Sequence, residues 1–510
     1  MKISIISSLI LLLATVSSVC ARTVDTVLIR QKAYMHSAAK REFVVYPYRN
    51  PALNFYRQSY SLSTLEVAGE CDTQDRAIQA EAGDGWKGLF LSGESYVHLS
   101  EKARAWGNAY YRNGTRRNVR WNESADHELV YPYVAADTIG GDMNSETYFF
   151  RGGYAAAYKQ WTFGGEFSFR ALQEYRDVDP RPNNKVADLY GKVGASRRIH
   201  AAYAAALSVE AHKYKQNGDL TYYDELGVSK TFHLTGLGNS YTRFDGTRTS
   251  VRYQGHRYGI GISLLPTESD GGWSGSFNYL YSFYEKILLA ANDIPLNEIK
   301  ENNLQAEVAW TRSKQARRFT GIKAAVIYND RKGTENLYGD AVNSIYPKIA
   351  DAEQFGSRSL HAVLGGSYEQ EQTARWRWCL QPAISYLQRK DTYKTPAKGM
   401  EYSLWNASLA FVSTHRWSKG MLRARIYGMC QGKIDATSNF GTQAAHPYAL
   451  TVLKQNLEMQ SGNRTGYGLS VRWSQNIGNT LGYAEAGWQQ TRYSGNMHSR
   501  MLRVSVGVAL

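Results

Sequence analysis

The sequence has few cysteines and, beyond its first sixteen residues, no long apolar run. Four cysteines in 510 residues are too few and too scattered for a disulfide framework. No cluster of cysteine and histidine has the spacing of a zinc site. No later segment offers the roughly 20 apolar residues that a transmembrane helix needs. These absences exclude a disulfide-stapled domain and a helical membrane protein, and they leave no zinc motif.

The first 21 residues have the three-part plan of a secretory signal peptide. Lys2 supplies the positive start, residues 3–16 are mostly apolar, and small residues follow. Val19 and Ala21 suit cleavage after Ala21. A lipid anchor on Cys20 is the alternative, but Val19 fits that cleavage poorly. We therefore expect export, with a cut after Ala21.

The net charge of +15 comes from 60 Lys and Arg against 45 Asp and Glu. In a cytosolic protein this excess would suggest nucleic acid as a partner, but export removes that interpretation. Lipid and anionic lipopolysaccharide are the expected partners of a basic exported barrel. The sequence leaves open a protein partner at the periplasmic or outer surface.

Aromatic residues are abundant and alternate with polar ones. The chain has 37 Tyr, 12 Trp and 16 Phe, side chains that favour membrane interfaces. From Trp273 to Phe283, apolar residues occupy one face and polar residues the other, as expected of a β-strand. The same period-two pattern recurs at 148–158, 161–170, 405–411 and 469–473.

Connections between these segments alternate between short and long. Long polar ones are expected at 113–146, 214–246, 331–356 and 435–450, and short ones near 100–102, 159–160, 197–198, 317–318, 418–420 and 478–479. This pattern predicts an all-β fold, a transmembrane antiparallel up-and-down β-barrel of about 14–18 strands, with 18 as the best count. The barrel is predicted over 56–510, without a helix of consequence. Residues 22–55 are predicted to precede it as a segment in the lumen or the periplasm.

The final strand is the most specific element of the sequence. Apolar residues alternate with small or polar ones up to the last residue: Leu502, Val504, Val506, Val508 and Leu510. This ending resembles the C-terminal signal read by the barrel-assembly machinery, although the last residue of that signal is usually aromatic. The resemblance implies location in the bacterial outer membrane. An ordinary closing strand of a soluble β domain is the alternative.

Two further segments resemble outer-membrane barrels. Residues 174–184, Glu-Tyr-Arg-Asp-Val-Asp-Pro-Arg-Pro-Asn-Asn, resemble part of an uncharacterised family of bacterial outer-membrane β-barrel proteins of about this length. That family has no assigned activity, so the resemblance implies fold and location only. Asn50-Pro51-Ala52 resembles the segment leading into fatty-acid-transporter-like barrels, although a plain β-turn explains it equally.

Charged residues within the strands are expected to face the lumen, because a charge at the bilayer midplane costs about 2–4 kcal/mol on the lipid face. Lys323 and Arg503 belong to this set. The candidates for lining the lumen are Glu166, Arg170, Glu210, Glu307, Glu369, Arg375, Arg377, Arg423, Arg425, Arg472 and Glu485. They form either a ladder of ion pairs or a selective ring.

The pairs Arg375-x-Arg377 and Arg423-x-Arg425 are the best functional candidates in that set. Each pair lies on one strand face, with one strand predicted between them. Together they would form a basic patch that favours anions.

Catalytic patterns are weak. Ser95 and His98 are three apart, so they point to opposite faces of a strand. Asp126-His127 lies in a predicted loop, and the glycines at 83–88 do not precede a helix, as a nucleotide fingerprint requires. We predict no enzyme, no cofactor and no metal. The expected function is a channel or transporter for a small polar, anionic or amphipathic solute. The alternative is a plugged docking barrel that presents loops 113–146, 214–246 and 331–356.

Overall fold

The chain folds into an 18-stranded antiparallel β-barrel, as expected. The computed structural model describes residues 28–510 except 201, 225–229, 247–249, 268–270, 290–291, 315–316, 344 and 443. The predicted signal peptide and its cleavage site lie outside the described residues. The barrel strands, in chain order, are β1 (Leu62–Gln74), β2 (Gly85–Ser100), β3 (Ala103–Val119), β5 (Gly141–Tyr158), β6 (Trp161–Tyr175), β7 (Arg181–His200), β8 (Tyr203–Thr221), β11 (Val251–Pro266), β12 (Gly271–Leu288), β13 (Ile294–Lys314), β14 (Arg318–Tyr338), β15 (Lys348–Thr373), β16 (Trp376–Tyr393), β17 (Lys398–Arg416), β18 (Gly420–Asn439), β19 (Arg464–Ile477), β20 (Thr480–Tyr493) and β21 (His498–Ala509).

Each barrel strand pairs with its neighbour in sequence, and β21 pairs with β1 to close the ring. The closure runs from Thr64 opposite Ala509 to Gln74 opposite Ser499. Ser63 and Leu510 extend it by exchanging both backbone hydrogen bonds, at 3.1 and 2.8 Å. Within the described residues, closure leaves no strand of the barrel with an unpaired edge, which a barrel in lipid requires.

The outer face of the barrel is apolar, and the facing predicted from alternation is confirmed. On β12, Phe277 and Tyr279 are exposed, whereas Ser276, the neighbour of Phe277 on the opposite face, is buried. The C-terminal strand agrees, since Leu502, Val504 and Val506 are exposed on the outside. Exposed tryptophans stand near the short turns, which is typical of the aromatic girdle of membrane barrels; they are Trp161, Trp273, Trp376 and Trp473.

Most of the expected short turns are observed. Three of the four long connections are shorter than expected, whereas the one expected at 435–450 is longer, because β18 ends at Asn439 and β19 begins at Arg464. The turn expected at 197–198 is wrong, since β7 continues to His200 and β8 begins at Tyr203. The connection expected at 331–356 is mostly strand, because β14 reaches Tyr338 and β15 begins at Lys348. The polar residues that suggested loops continue the strands. We call the two ends of the barrel the short-turn end and the long-loop end.

The N-terminal segment, residues 28–61, lies inside the lumen at the short-turn end. It contains two helices, Ile29–His36 and Ala39–Phe43, followed by two single helical turns. Phe43 and Leu53 are buried against inward side chains of the wall. The contacted wall residues are Ala204, Ala206, Leu265, Ala309, Phe319, Cys379 and Val412.

The long-loop end is filled by residues 120–140, 231–246 and 440–463, which we call the loop plug. Strand β4 (Ala135–Ala136) pairs with β9 (Phe232–Gly236), which pairs with β10 (Asn239–Ser240), and together they form a small sheet. This sheet joins the first two loops of the plug. Its core contains Trp121, Val130, Tyr133, Phe232 and Leu234.

A 15-residue helix, Pro447–Ser461, completes the loop plug. The expectation that no helix would matter is therefore wrong. His446 caps the helix by accepting a hydrogen bond from the backbone N–H of Tyr448 at 3.1 Å, and Pro447 suits its first position. Within the described part of the chain, no helix is long and apolar enough to cross a membrane.

Candidate solute-binding lumen

Four arginines line one side of the lumen with partly exposed side chains, and one of them, Arg472, lies close to His36 of the N-terminal segment. The guanidinium group of each one forms an ion pair with a carboxylate of the barrel wall. We call this surface the arginine wall; it spans β19–β21 and β1–β6 across the closure of the ring. Its arginines are Arg112, Arg151, Arg472 and Arg503.

Three of the four arginines belong to a continuous chain of ion pairs, and Arg151 pairs separately with Glu166. Arg472 Nε lies 2.6 Å from Glu485 Oε2, and its Nη2 lies 3.7 Å from Glu66 Oε2. Arg503 pairs with Glu66 and lies 3.5 Å from Glu70. Arg112 Nη2 closes the series 3.0 Å from Glu70 Oε2. The chain therefore alternates three carboxylates with three guanidinium groups.

The guanidinium groups project into the lumen, and the carboxylates lie behind them. The four arginine side chains are 34% to 42% exposed, while their carboxylate partners are 7% to 25% exposed. These inward side chains can be exposed only if the lumen holds solvent beside them. A solute in that space meets N–H donors first, and donors in this fork geometry suit carboxylate, sulfate and phosphate groups.

The opposite side of the lumen, which we call the packed wall, comprises the inner faces of β7, β8 and β11–β14. The loop plug covers Tyr214, Tyr253 and Tyr284 on this wall. Its inward cationic side chains are also less exposed, at 15% for Arg331 and 6% for Lys192. The charged groups on this side are therefore mostly covered by their neighbours.

The predicted basic patch does not exist as one surface. Arg375 lies in the turn between β15 and β16, exposed outside the lumen, so its inward assignment is wrong. Arg377 and Arg423 face inward but hold the N-terminal segment. Arg425 faces the lumen between the exposed outward residues Leu422 and Ile426, and it has no polar partner among the described residues.

The N-terminal segment is held by several side chains of the wall. Arg377 donates to the backbone oxygen of Tyr34 at 2.9 Å and to Ser37 Oγ at 2.6 Å. Arg423 Nη2 lies 2.6 Å from Glu42 Oε1. Glu369 accepts from the backbone N–H of Ala39 at 2.9 Å, and Lys323 donates to the oxygen of Phe43 at 3.0 Å.

The other predicted lumen residues also face inward and are engaged. Arg170 lies 2.7 Å from Asp126 Oδ2 of the loop plug. Glu210 accepts from Lys192 at 3.0 Å, and Glu307 lies 3.8 Å from Lys323. Glu166 accepts from the indole N–H of Trp106 and from Arg151, both at 2.8 Å. These contacts favour the ion-pair ladder over a ring of free charges.

A fully buried ion pair fixes the loop plug and was missed from the sequence. Arg176 Nη2 lies 2.7 Å from Asp137 Oδ2, with both side chains entirely buried. Asp137 also accepts from the backbone N–H groups of Ile139 and Gly140 at 2.7 Å. Burial, with Asp137 close by, raises the pKa of Glu123 well above its usual range. Arg176 lies within residues 174–184, and the resemblance of this segment to an outer-membrane barrel family was the only feature of the sequence that pointed to it.

The weak catalytic candidates are engaged in structural contacts. Ser95 hydrogen-bonds with Ser63, and His98 faces the lumen and contacts the backbone oxygen of Gln58 at 3.0 Å. Asp126 holds Arg170 and Tyr214. Among the described residues, no cluster of His, Cys, Asp and Glu could hold a metal ion.

A family model described as "Family of unknown function (DUF6850)" matches residues 51–510. No curated protein sequence matches the chain. The chain is similar in structure to the ferric preacinetobactin receptor BauA from Acinetobacter baumannii, with 8% identity, coverage of 88% of this chain and 80% of that chain, and a TM-score of 0.38. It is also similar to a mutant of the ferric enterobactin receptor PfeA from Pseudomonas aeruginosa, with 8% identity, coverage of 89% of this chain and 81% of that chain, and a TM-score of 0.40. A mutant of the monoaromatic hydrocarbon channel TodX is similar with 9% identity, coverage of 90% of this chain and 92% of that chain, and a TM-score of 0.29.

Proposed function

The chain belongs to this family of unknown function, and from that premise we propose that it is an outer-membrane barrel that transports a small polar, anionic or amphipathic solute. The arginine wall is the observation that carries the proposal. A barrel built only as a scaffold gains nothing from solvent-exposed guanidinium groups inside its lumen. Charged groups on a low-dielectric wall focus the potential on a passing ion.

The bacterial outer membrane is the proposed location. A closed barrel with an apolar exterior and tryptophans near its short turns suits a bilayer, and barrels of this kind belong to outer membranes. Cleavage after Ala21, insertion by the barrel-assembly machinery and contact with lipopolysaccharide are parts of the same proposal. No catalytic step and no cofactor is proposed.

Transport through this barrel requires movement of the segments inside it. The N-terminal segment occupies the short-turn end and the loop plug occupies the long-loop end. The N-terminal segment is held by polar contacts, such as those of Arg377 and Lys323, and by apolar clusters that are smaller than the cluster of the loop plug. The loop plug has a continuous apolar core. We therefore propose that the N-terminal segment is the part that moves.

Conductance and ion selectivity in planar bilayers test the proposal. A release variant, Arg377→Met with Lys323→Met, keeps the aliphatic stems and removes the donors, so it should raise conductance. In that background, changing Arg112, Arg151, Arg472 and Arg503 to Gln should shift the reversal potential away from anions. Arg358→Gln is the matched control, because Arg358 pairs with Asp330 and is 68% exposed.

A docking barrel with a permanently filled lumen is the second candidate, favoured by the core of the loop plug. It predicts no current from the wild type or from the release variant, while both migrate as folded barrels on unboiled gels. That result would contradict the transport proposal.

A further inference from the structure

We infer that the arginine wall contains a binding site for an anionic solute that carries a ring with an apolar face. The site combines inward aromatic side chains on β2, β3 and β5 with the guanidinium groups beside them. It rests on the proposed function and specifies its solute class. Uronic or sulfated sugars and aromatic carboxylates share this chemistry.

Three aromatic rings form a row on the lumen side of adjacent strands. The ring centroids of Phe90 and Tyr110 are 5.6 Å apart, and those of Tyr110 and Phe149 are 4.8 Å apart with the planes 18° from parallel. The neighbours Leu89 and Phe150 are exposed on the outer face, so alternation turns Phe90 and Phe149 inward. The three rings are only partly buried.

A partly exposed aromatic row inside a lumen needs an explanation. Aromatic rings on the outer face meet lipid, and those on the packed wall are covered by the loop plug. Phe90, Tyr110 and Phe149 are in neither situation, and their exposure to water costs free energy. A bound ring stacked on this row would recover that free energy.

Guanidinium groups lie directly beside the aromatic row. The guanidinium carbon of Arg503 is 5.6 Å from the centre of the Phe90 ring. That of Arg112 is 4.1 Å from the centre of Trp86. Both distances allow a cation–π interaction, which orients the guanidinium plane. Nε and Nη2 of Arg112 donate to Glu70 at 3.2 and 3.0 Å, which leaves the Nη1 donors for a solute beside Phe90, the residue opposite Arg112.

Two glycines keep this part of the lumen wide. Gly88 and Gly114 lie under the ring of Trp86, since a Cβ at either position would come within 2.8 Å of its Cζ2 atom. Trp86 therefore lies flat against the wall rather than projecting into the lumen. The guanidinium group of Arg112 lies over the face of this ring.

This arrangement selects for charge and ring together. A carboxylate or sulfate can take two parallel hydrogen bonds from one guanidinium group, while an attached ring lies on Tyr110 and Phe149. A neutral sugar would gain the ring contact only, and an inorganic anion would gain the charge contact only. The site thus predicts that neither part alone binds as well as the combination.

Calorimetry on the folded barrel in detergent tests the site without relying on transport. The probes are digalacturonate and benzoate, with a neutral disaccharide and benzyl alcohol as their uncharged counterparts. We expect binding of at least one anionic probe and at least tenfold weaker binding of its neutral counterpart. The anionic probe that binds identifies the source as sugar acid or aromatic acid.

Matched variants locate the binding. Tyr110→Ala and Arg112→Lys should each weaken the anionic probe at least fivefold, and Arg112→Lys keeps the charge in case Tyr110→Ala fails to fold. Tyr258→Ala, on the exposed outer face, and Arg358→Gln should have no effect. The inference is overturned if the wild type binds no anionic probe, if neutral and anionic probes bind equally, or if the controls match the variants.

Flux into liposomes separates this inference from the proposed function. Binding without flux, in the wild type and in the release variant, would retain the site and overturn transport. Flux of the anionic probe without measurable binding, or unchanged by Tyr110→Ala, would retain transport and overturn the site.

Discussion

Both sides of the lumen contain ion pairs, but the exposure of the cations differs between them. On the arginine wall, the guanidinium groups stand out from their carboxylates, at 34% to 42% exposure. On the packed wall and its flank, the inward cations Arg170, Lys192, Arg257, Lys323 and Arg331 are 6% to 30% exposed. The cations of the two sides therefore differ in exposure, although both sides consist of ion pairs.

The strands differ in length on the two sides as well. The barrel strands of the arginine wall have 12 to 18 residues, whereas those of the packed wall have 16 to 21. About 9 to 11 tilted residues cross a bilayer, so the long strands rise well beyond it. The loop plug packs on these long strands, and the arginine wall lies on the side of the barrel that has the shorter strands.

Removing Ser505–Leu510 should have the largest effect, because it breaks the arginine wall at the closure of the ring. The deletion unpairs half of β21 from both neighbours, and each unpaired backbone group in lipid costs several kcal/mol. We expect no assembled barrel in outer-membrane fractions. Normal amounts of heat-modifiable truncated protein there would contradict this expectation.

The buried ion pair of the loop plug and the exposed ion pairs of the arginine wall should differ several-fold in their contribution to stability. Replacing Arg176 by Gln strands the buried carboxylate of Asp137 and should cost about 3–5 kcal/mol. Replacing Arg112 by Gln on the arginine wall should cost about 0–1 kcal/mol. Urea unfolding in detergent, followed by tryptophan fluorescence, measures both. Equal losses would remove the distinction between the two surfaces.

Adding an arginine to each wall sharpens the comparison. Ser276 is buried on the packed side, so Ser276→Arg should cost about 1–3 kcal/mol through overpacking. Ser470, which lies opposite Arg425 on the open side, should tolerate the same change. Phe277→Arg, on the lipid face, should cost about 2–4 kcal/mol. Assembly yields on unboiled gels report the ranking, and a poorly assembling Ser470→Arg would show that the lumen is filled there.

Acid should loosen the N-terminal segment, and this is the smallest of the expected effects. Burial and nearby cations lower the pKa of His36 from 6.5 to about 3. Since the folded pKa is the lower one, the stability from neutral His36 is complete above pH 6.5 and is lost as the pH falls toward 3. The nearby cations are Arg41, Arg57, Arg472 and Arg423.

Limited proteolysis of residues 28–61 at pH 8 and pH 5 measures this release. We expect faster cleavage at pH 5 in the wild type and a much smaller pH dependence in His36→Gln. Identical pH dependence in both proteins would assign the effect to another group.

Local sequence patterns determine much of this fold. Alternation predicted the strand number and the facing of residues such as Phe277 and Ser276, because a period of two depends only on neighbours in the chain. It could not predict that Arg377 grips Tyr34, more than 300 residues away. The exposure of Arg112 and Arg503 also depends on which lumen side the loop plug covers, and no local pattern records that choice.

Some misplaced features did have a local signal. His446 and Pro447 mark the start of the helix in the loop plug, and Leu450, Leu453 and Leu457 follow at helical spacing. The polar residues around these leucines are typical of a loop. The structure shows that the apolar face formed by the leucines packs against Phe355 and Tyr393. Arg375 was misplaced because the turn after β15 begins at Ala374.

The pairing of β1 with β21 also sets the timing of assembly. These strands are separated by more than 400 residues, so their encounter carries a high loop-closure entropy and belongs to the slow end of folding. The contact of Arg503 with Glu66 spans this same junction. A nascent barrel with sixteen or seventeen strands in place therefore lacks part of this chain of ion pairs, and the arginine wall is complete only when β21 has paired with β1.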